Sequence, residues 1–115
     1  MTFGRTVEVR GVSEEKVQSI SATTTPENLI PPILLKIAQC ESGGRQFNKD
    51  GSVLRGKVNP QDVGLYQINE FYHLKQAQEM GIDIYTEEGN EAYALYLYDT
   101  QGTKPWNWSK GCWDR

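Results

Sequence analysis

A chain of 115 residues has room for one hydrophobic core and leaves little for a second domain. Its net charge of −3 and pI near 5.1 give no general attraction to nucleic acid, whose binders carry a concentrated basic face. Its longest apolar stretch, Leu29 to Ala38, is broken by prolines and a lysine and falls well short of the ~20 residues needed to cross a bilayer. Three Trp, six Tyr and three Phe supply large side chains for a packed core, which excludes disorder throughout.

Residues 1–26 read as an arm followed by a linker, with a β-like stretch from Arg5 to Arg10 and then the polar run Ser19-Ile20-Ser21-Ala22-Thr23-Thr24-Thr25-Pro26. The charges spread through residues 1–20 leave no central apolar block of the kind a secretory signal needs, so any export signal is expected to be absent from this chain. The folded domain is expected over 27–115. A first helix is predicted over 29–41: Pro31 and Pro32 are tolerated in a first turn, Ile30, Ile33, Leu34, Ile37 and Ala38 recur at helical spacing, and Gly43 and Gly44 stop it. Steps of four from Ile33 through Ile37 land on Glu41, which puts a carboxylate on the apolar face at the last turn.

From Phe47 to Asn69 the pattern changes to short β-like pieces. Lys49-Asp50-Gly51 and Asn59-Pro60 read as turns and Ser52 to Val58 as a strand, together a small antiparallel hairpin or three-stranded sheet. Asn69 is placed to cap a helix over 70–80 ending at Gly81, and Thr86 to cap another over 87–100 ending near Gly102. In the latter, Tyr93, Tyr96 and Leu97 share a face with Leu95 and Tyr98 beside it, which predicts packing against the first helix. The tail from Pro105 to Trp113 is too aromatic for a solvated end and is expected to be tied back. The predicted fold class is therefore α+β, mainly α, with a small antiparallel β element and a cleft beside the first long helix. Cys40 and Cys112 show no CxxC spacing and accompany a single His, which removes the common structural zinc patterns; they are a disulfide pair or two free thiols.

The chemistry centres on Gln39-Cys40-Glu41-Ser42-Gly43-Gly44, where a glutamate ends an apolar helix just before a chain reversal. Desolvation there disfavours the ionised carboxylate and raises its pKa, keeping a proton available for a leaving oxygen. Farther on, Asp62 precedes Gly64-Leu65-Tyr66-Gln67-Ile68-Asn69 at the edge of an extended segment that can face Glu41. Two carboxylates across a cleft are the usual equipment of glycoside hydrolysis. Glu41-Ser42-Gly43 followed by Gly64-Leu65-Tyr66-Gln67-Ile68-Asn69, with a β-like insertion between and a Tyr-rich helix after, resembles the lysozyme-like superfamily, which includes animal-type lysozymes and the soluble lytic transglycosylases, over residues 29–113.

The resemblance implies a lysozyme-like fold acting on peptidoglycan glycan strands. It carries the general acid onto Glu41 and a cleft-lining glutamine onto Gln67. Asp62-Val63-Gly64 resembles the Asp-Tyr-Gly run of animal-type lysozymes, whose aspartate stabilises or attacks the glycosyl cation, with Val63 in the middle position instead. Ala92-Tyr93-Ala94 matches part of the Ala-Tyr-Asn run of the transglycosylases, without the Asn, and makes Tyr93 a cleft candidate alongside its reading as core. Ser42 and Tyr66 join the expected substrate contacts through the motifs they belong to. Asn48 and Asn90 are candidates for hydrogen bonds to N-acetyl groups, against turn and helix-start duties, and Trp106 and Trp108 for stacking on sugar faces, against core packing. His73 reads as a surface residue.

The expected activity is that of a muramidase cutting the β-1,4 bond between N-acetylmuramic acid and N-acetylglucosamine, with no cofactor or metal. Lytic transglycosylation to 1,6-anhydro products and a non-catalytic glycan-binding module are the alternatives. The several-bridge cysteine pattern of animal-type lysozymes is absent, which points to a bacterial or phage relative. A substrate outside the cytosol favours a Cys40–Cys112 disulfide and an exported protein, expected to be a monomer. The chain's net acidity means that wall binding must come from a specific cleft rather than from bulk charge.

Overall fold

Proline disfavours helical backbone in the residue before it, so the consecutive Pro31 and Pro32 delay the first helix. In the computed structural model, which describes residues 26–115, the chain makes a 3-10 turn at Glu27–Leu29, and α1 runs Pro32–Ser42 with Pro31 just outside it. The helix predicted from residue 29 thus begins three residues later. The β-like stretch at Arg5–Arg10 lies outside the described residues. α1 buries Leu34, Ile37 and Ala38 and stops at Gly43, whose left-handed backbone (φ 69°) turns its N–H back onto the Gln39 carbonyl at 2.9 Å.

The β element lies within the expected Phe47–Asn69 region but is smaller than expected. β1 (Asp62–Val63) pairs antiparallel with β2 (Ile68–Asn69), joining Asp62 to Asn69 and Val63 to Ile68. The strand predicted over Ser52–Val58 is not formed; Val53 and Arg55 make only single bridges, to Phe47 and Val63. Ser52–Val58 reads as a strand between two turns, but Val58 is 89% exposed, so no core continues the strand before the turn at Asn59 and Pro60.

Asn69 then starts α2 (Glu70–Glu79), its side-chain oxygen accepting from the Tyr72 N–H at 3.1 Å, and Thr86 starts α3 (Glu87–Gln101) by accepting from the Gly89 N–H at 3.0 Å. α3 buries Tyr93, Ala94 and Leu97. It packs on the 3-10 segment Lys104–Ser109, which forms a layer that also lies against α1, and the buried faces of α1 and α3 share one core. Trp106, 3% exposed, fills that layer and donates its indole N–H to the Tyr66 carbonyl at 3.0 Å. The last turn, α4 (Lys110–Trp113), packs on α1, and Cys112 is joined to Cys40 with their Cα atoms 6.0 Å apart. The described residues thus form a mainly helical α+β domain, and no helix among them is long and apolar enough to cross a membrane.

Two buried amides hold the β hairpin, Asn90 from α3 and Gln46 from the segment that follows α1. Asn90, 0% exposed, accepts from the Tyr66 N–H at 2.8 Å and donates to the Val63 and Ile84 carbonyls, both at 2.9 Å. Gln46 accepts from the Leu65 N–H at 2.8 Å. Gly64 lies between these amides at φ 77°, where an added Cβ would come within 2.5 Å of Asn90 Nδ2 and 2.6 Å of Gln46 Oε1. Gly64→Ala is therefore expected to destabilise the domain by about 2–4 kcal/mol, combining left-handed strain with overpacking. In thermal denaturation this reads as a midpoint lower by about 10–20 °C.

Candidate active site

The turn that ends α1 exposes Glu41 to a cleft. Glu41 is half-buried one helical turn beyond Ile37, and the chain reverses immediately after Ser42. Ser42 is 6% exposed; its hydroxyl donates to the Ala38 carbonyl at 3.0 Å and accepts from the Arg45 N–H at 3.1 Å. Its polar atom is thus committed to the reversal that presents Glu41, although the residue borders the cleft.

Across the cleft, β1 supplies Asp62. Its Oδ1 accepts from Asn69 Nδ2 at 2.9 Å, across the pair that registers the hairpin. Because Asn69 also caps α2 through its oxygen, one side chain ties the hairpin, the helix start and the second carboxylate together. Gln67 sits in the hairpin turn at φ 51°, a left-handed conformation that costs energy in a residue with a side chain. Its Nε2 donates to the Gly64 carbonyl at 2.9 Å, while its Oε1 lies so close to Gly56 that a Cβ there would approach it to 3.0 Å.

Glu41, Asp62, Gln67 and Trp108 line both of two connected depressions, of about 370 and 170 Å³. Burial pushes the Glu41 carboxyl above the usual carboxylate range; a hydrogen bond from Ser109 opposes the rise and the negative charge of Asp62 adds to it. The Ser109 hydroxyl contacts Glu41 Oε2, accepts from the Trp113 indole N–H at 3.2 Å and has the Trp106 carbonyl at 3.2 Å as a second acceptor. This geometry suits both protonation states. Ser109 donates to the carboxylate, and when Glu41 holds the proton Ser109 can accept it and turn its own hydrogen to Trp106.

The other residues singled out in the sequence divide. Trp106 lines the smaller depression as part of the core, whereas Trp108, 92% exposed, stands at the rim of both. Tyr66 is 0% exposed and belongs to the core. Tyr93, 1% exposed, places its hydroxyl 2.9 Å from His73 Nδ1, and it is His73 that lines the cleft. His73, read as a surface residue, is half-buried, its ring tilted at 59° against that of Tyr93 with centroids 5.3 Å apart, and burial lowers its pKa. Asn48 directs its amide at Ser52 Oγ, 3.0 Å away, within the turn after α1 and away from the cleft lining. Asn90 is the buried hub described above.

Ser109 escaped the sequence reading altogether. A serine between a tryptophan and a lysine carries no local signal, and its role comes from a contact spanning 68 residues. Among the described residues, no group of three or more metal-ligating side chains comes together. Comparison with known proteins finds no matching family model, curated protein or solved structure.

Proposed function

We propose that this chain is a lysozyme-like glycosidase that cuts the β-1,4 bond between N-acetylmuramic acid and N-acetylglucosamine in peptidoglycan, outside the cytosol. The observation that carries the reading is Glu41: a half-buried carboxyl with a raised pKa, held by Ser109, at the junction of two cleft arms and within the field of a second carboxylate. In this reading Glu41 gives its proton to the bridging oxygen as the muramyl sugar gains oxocarbenium character, and Asp62 stabilises or attacks the cation. Trp108 offers an exposed indole face for a sugar ring, and Gln67, fixed by Gly64, borders the reacting centre. The Cys40–Cys112 disulfide accords with an oxidising compartment.

The test is mass spectrometry of soluble products from purified peptidoglycan. Reducing-end muropeptides are expected from this chain; 1,6-anhydro products would instead make it a lytic transglycosylase. Absence of any product would leave glycan binding without catalysis.

A further inference from the structure

The two arms of the cleft are chemically unlike, and the carboxylate pair stands where they meet. The smaller arm mixes Ile68, Leu97, Pro105 and Trp106 with the polar Gln67, Asn69 and His73, and no lysine or arginine lines it. The larger arm collects Arg45, Arg55 and Lys57, and the carboxylates lining it are Glu41 and Asp62 alone. That is a local excess of cations in a chain whose net charge is −3.

The three cations are not equivalent. Arg55 is engaged in the wall: its Nη1 meets Glu70 Oε2 at 2.8 Å and the Pro60 carbonyl at 2.9 Å, while Tyr85 donates to the other Glu70 oxygen at 2.6 Å. Arg45 and Lys57 are exposed, and neither makes an ion pair with any described residue. Their backbone is nonetheless positioned. The Arg45 N–H is held by Ser42 Oγ, one residue from Glu41, and the Gly56 N–H, next to Lys57, donates to the Asp62 carbonyl at 2.8 Å. Two cations without an ion pair among the described residues are thus carried on segments registered to the two acidic residues.

We infer that Arg45 and Lys57 bind a carboxylate that the substrate carries beside the bond to be cut. The inference rests on the peptidoglycan reading and specifies it. In a glycan strand N-acetylglucosamine has no acid, whereas the muramyl sugar bears one on its lactyl ether, or several on a stem peptide attached there. The basic arm therefore takes the muramyl sugar and the arm without lysine or arginine takes the neutral one, which fixes the direction of the strand across Glu41. Exposed charge pairs are individually weak, so two of them amount to about a five- to tenfold gain in affinity.

Isothermal titration of the full chain carrying Glu41→Gln, which binds without cutting, decides the matter with three probes. These are a tetrasaccharide of N-acetylglucosamine, an alternating tetrasaccharide with free lactyl carboxylates, and the same alternating tetrasaccharide bearing stem peptides. A carboxylate-bearing probe is expected to bind about fivefold or more tightly than the neutral one at low salt. That advantage should shrink with added salt and disappear when Arg45→Gln and Lys57→Gln are introduced together. An advantage already present with the lactyl probe identifies the lactyl acid as the ligand; one that appears only with stem peptides identifies the peptide. Equal binding of all three probes, binding of none, or an advantage that survives the double substitution overturns the inference. Cleavage of whole strands by the unsubstituted chain is scored separately. Cleavage without a binding preference removes the basic subsite and keeps the enzyme, and a preference without cleavage does the reverse.

Discussion

Glu41→Gln is expected to lower the rate of peptidoglycan cleavage by about a hundred- to ten-thousandfold, the usual contribution of a positioned general acid, while the domain stays folded. The amide keeps an oxygen for the Ser109 hydroxyl and loses only the ionisable proton. The same substitution has a thermodynamic signature. Because the folded pKa of Glu41 lies above its ordinary 4.5, the folded chain holds that proton more tightly than the unfolded chain. The resulting stability is fully present below pH 4.5 and is lost as pH rises through the raised folded value. The glutamine variant lacks this loss, so its unfolding midpoint, measured by calorimetry from pH 4 to 8, should gain on that of the parent as pH increases. A constant difference across the range would contradict a raised Glu41 pKa.

The activity profile follows from the same proton. In the proposed mechanism cleavage needs Glu41 protonated, so the rate should fall as pH rises through its raised pKa. The two polar neighbours move that fall in opposite directions. Ser109→Ala removes a hydrogen bond that favours the carboxylate and should shift the fall to higher pH, whereas Asp62→Asn removes a repelling charge and should shift it lower. Identical shifts in both variants would mean that neither group acts on Glu41 in this way.

Breaking the Cys40–Cys112 bond, by Cys40→Ser with Cys112→Ser or by reductant, is expected to cost about 4 kcal/mol. The two residues are 72 apart in the chain, and releasing a loop of that size restores much entropy to the unfolded state. For a folded portion of this size the unfolding midpoint should drop by roughly 20 °C. Cys112 is exposed, so a soluble reductant reaches the bond. The consequence should extend to the site. The bond clamps α4 to α1, and the Trp113 indole N–H of α4 contacts Ser109, the hydroxyl that holds Glu41. Glycan cleavage should therefore decline on reduction at temperatures where the domain remains folded. A midpoint shift below about 5 °C would mean that the buried Trp106 and Trp113 anchor the tail without help.

What the sequence determined by itself is what depends on near neighbours. The caps at Asn69 and Thr86 and the stop at Gly43 each rest on one side chain or one glycine acting within a few residues. So does Glu41, since helical spacing from Ile37 places it on the inward side of a helix whose end is locally encoded. The tie between the cysteines was one of two readings open to the sequence, and only the fold brings the pair together. Local signals failed where the outcome depends on a distant surface. The β-like piece Ser52–Val58 between two turns promised a strand, but no core lies opposite Val58. The cluster of aromatics in the tail did not reveal that Trp106 turns into the layer between α1 and α3 while Trp108, two residues later, stands at the cleft rim. His73 looks like any helix-surface histidine until Tyr93 of α3 meets it. Ser109 becomes a partner of Glu41 only when segments 68 residues apart are packed together, and Arg45 comes to share a cleft wall with Lys57 only through the path of the chain between them. The position of the Glu41 carboxyl is thus written into one helix end, whereas the environment that tunes its proton is a tertiary property, because desolvation and charge act through space and not along the chain.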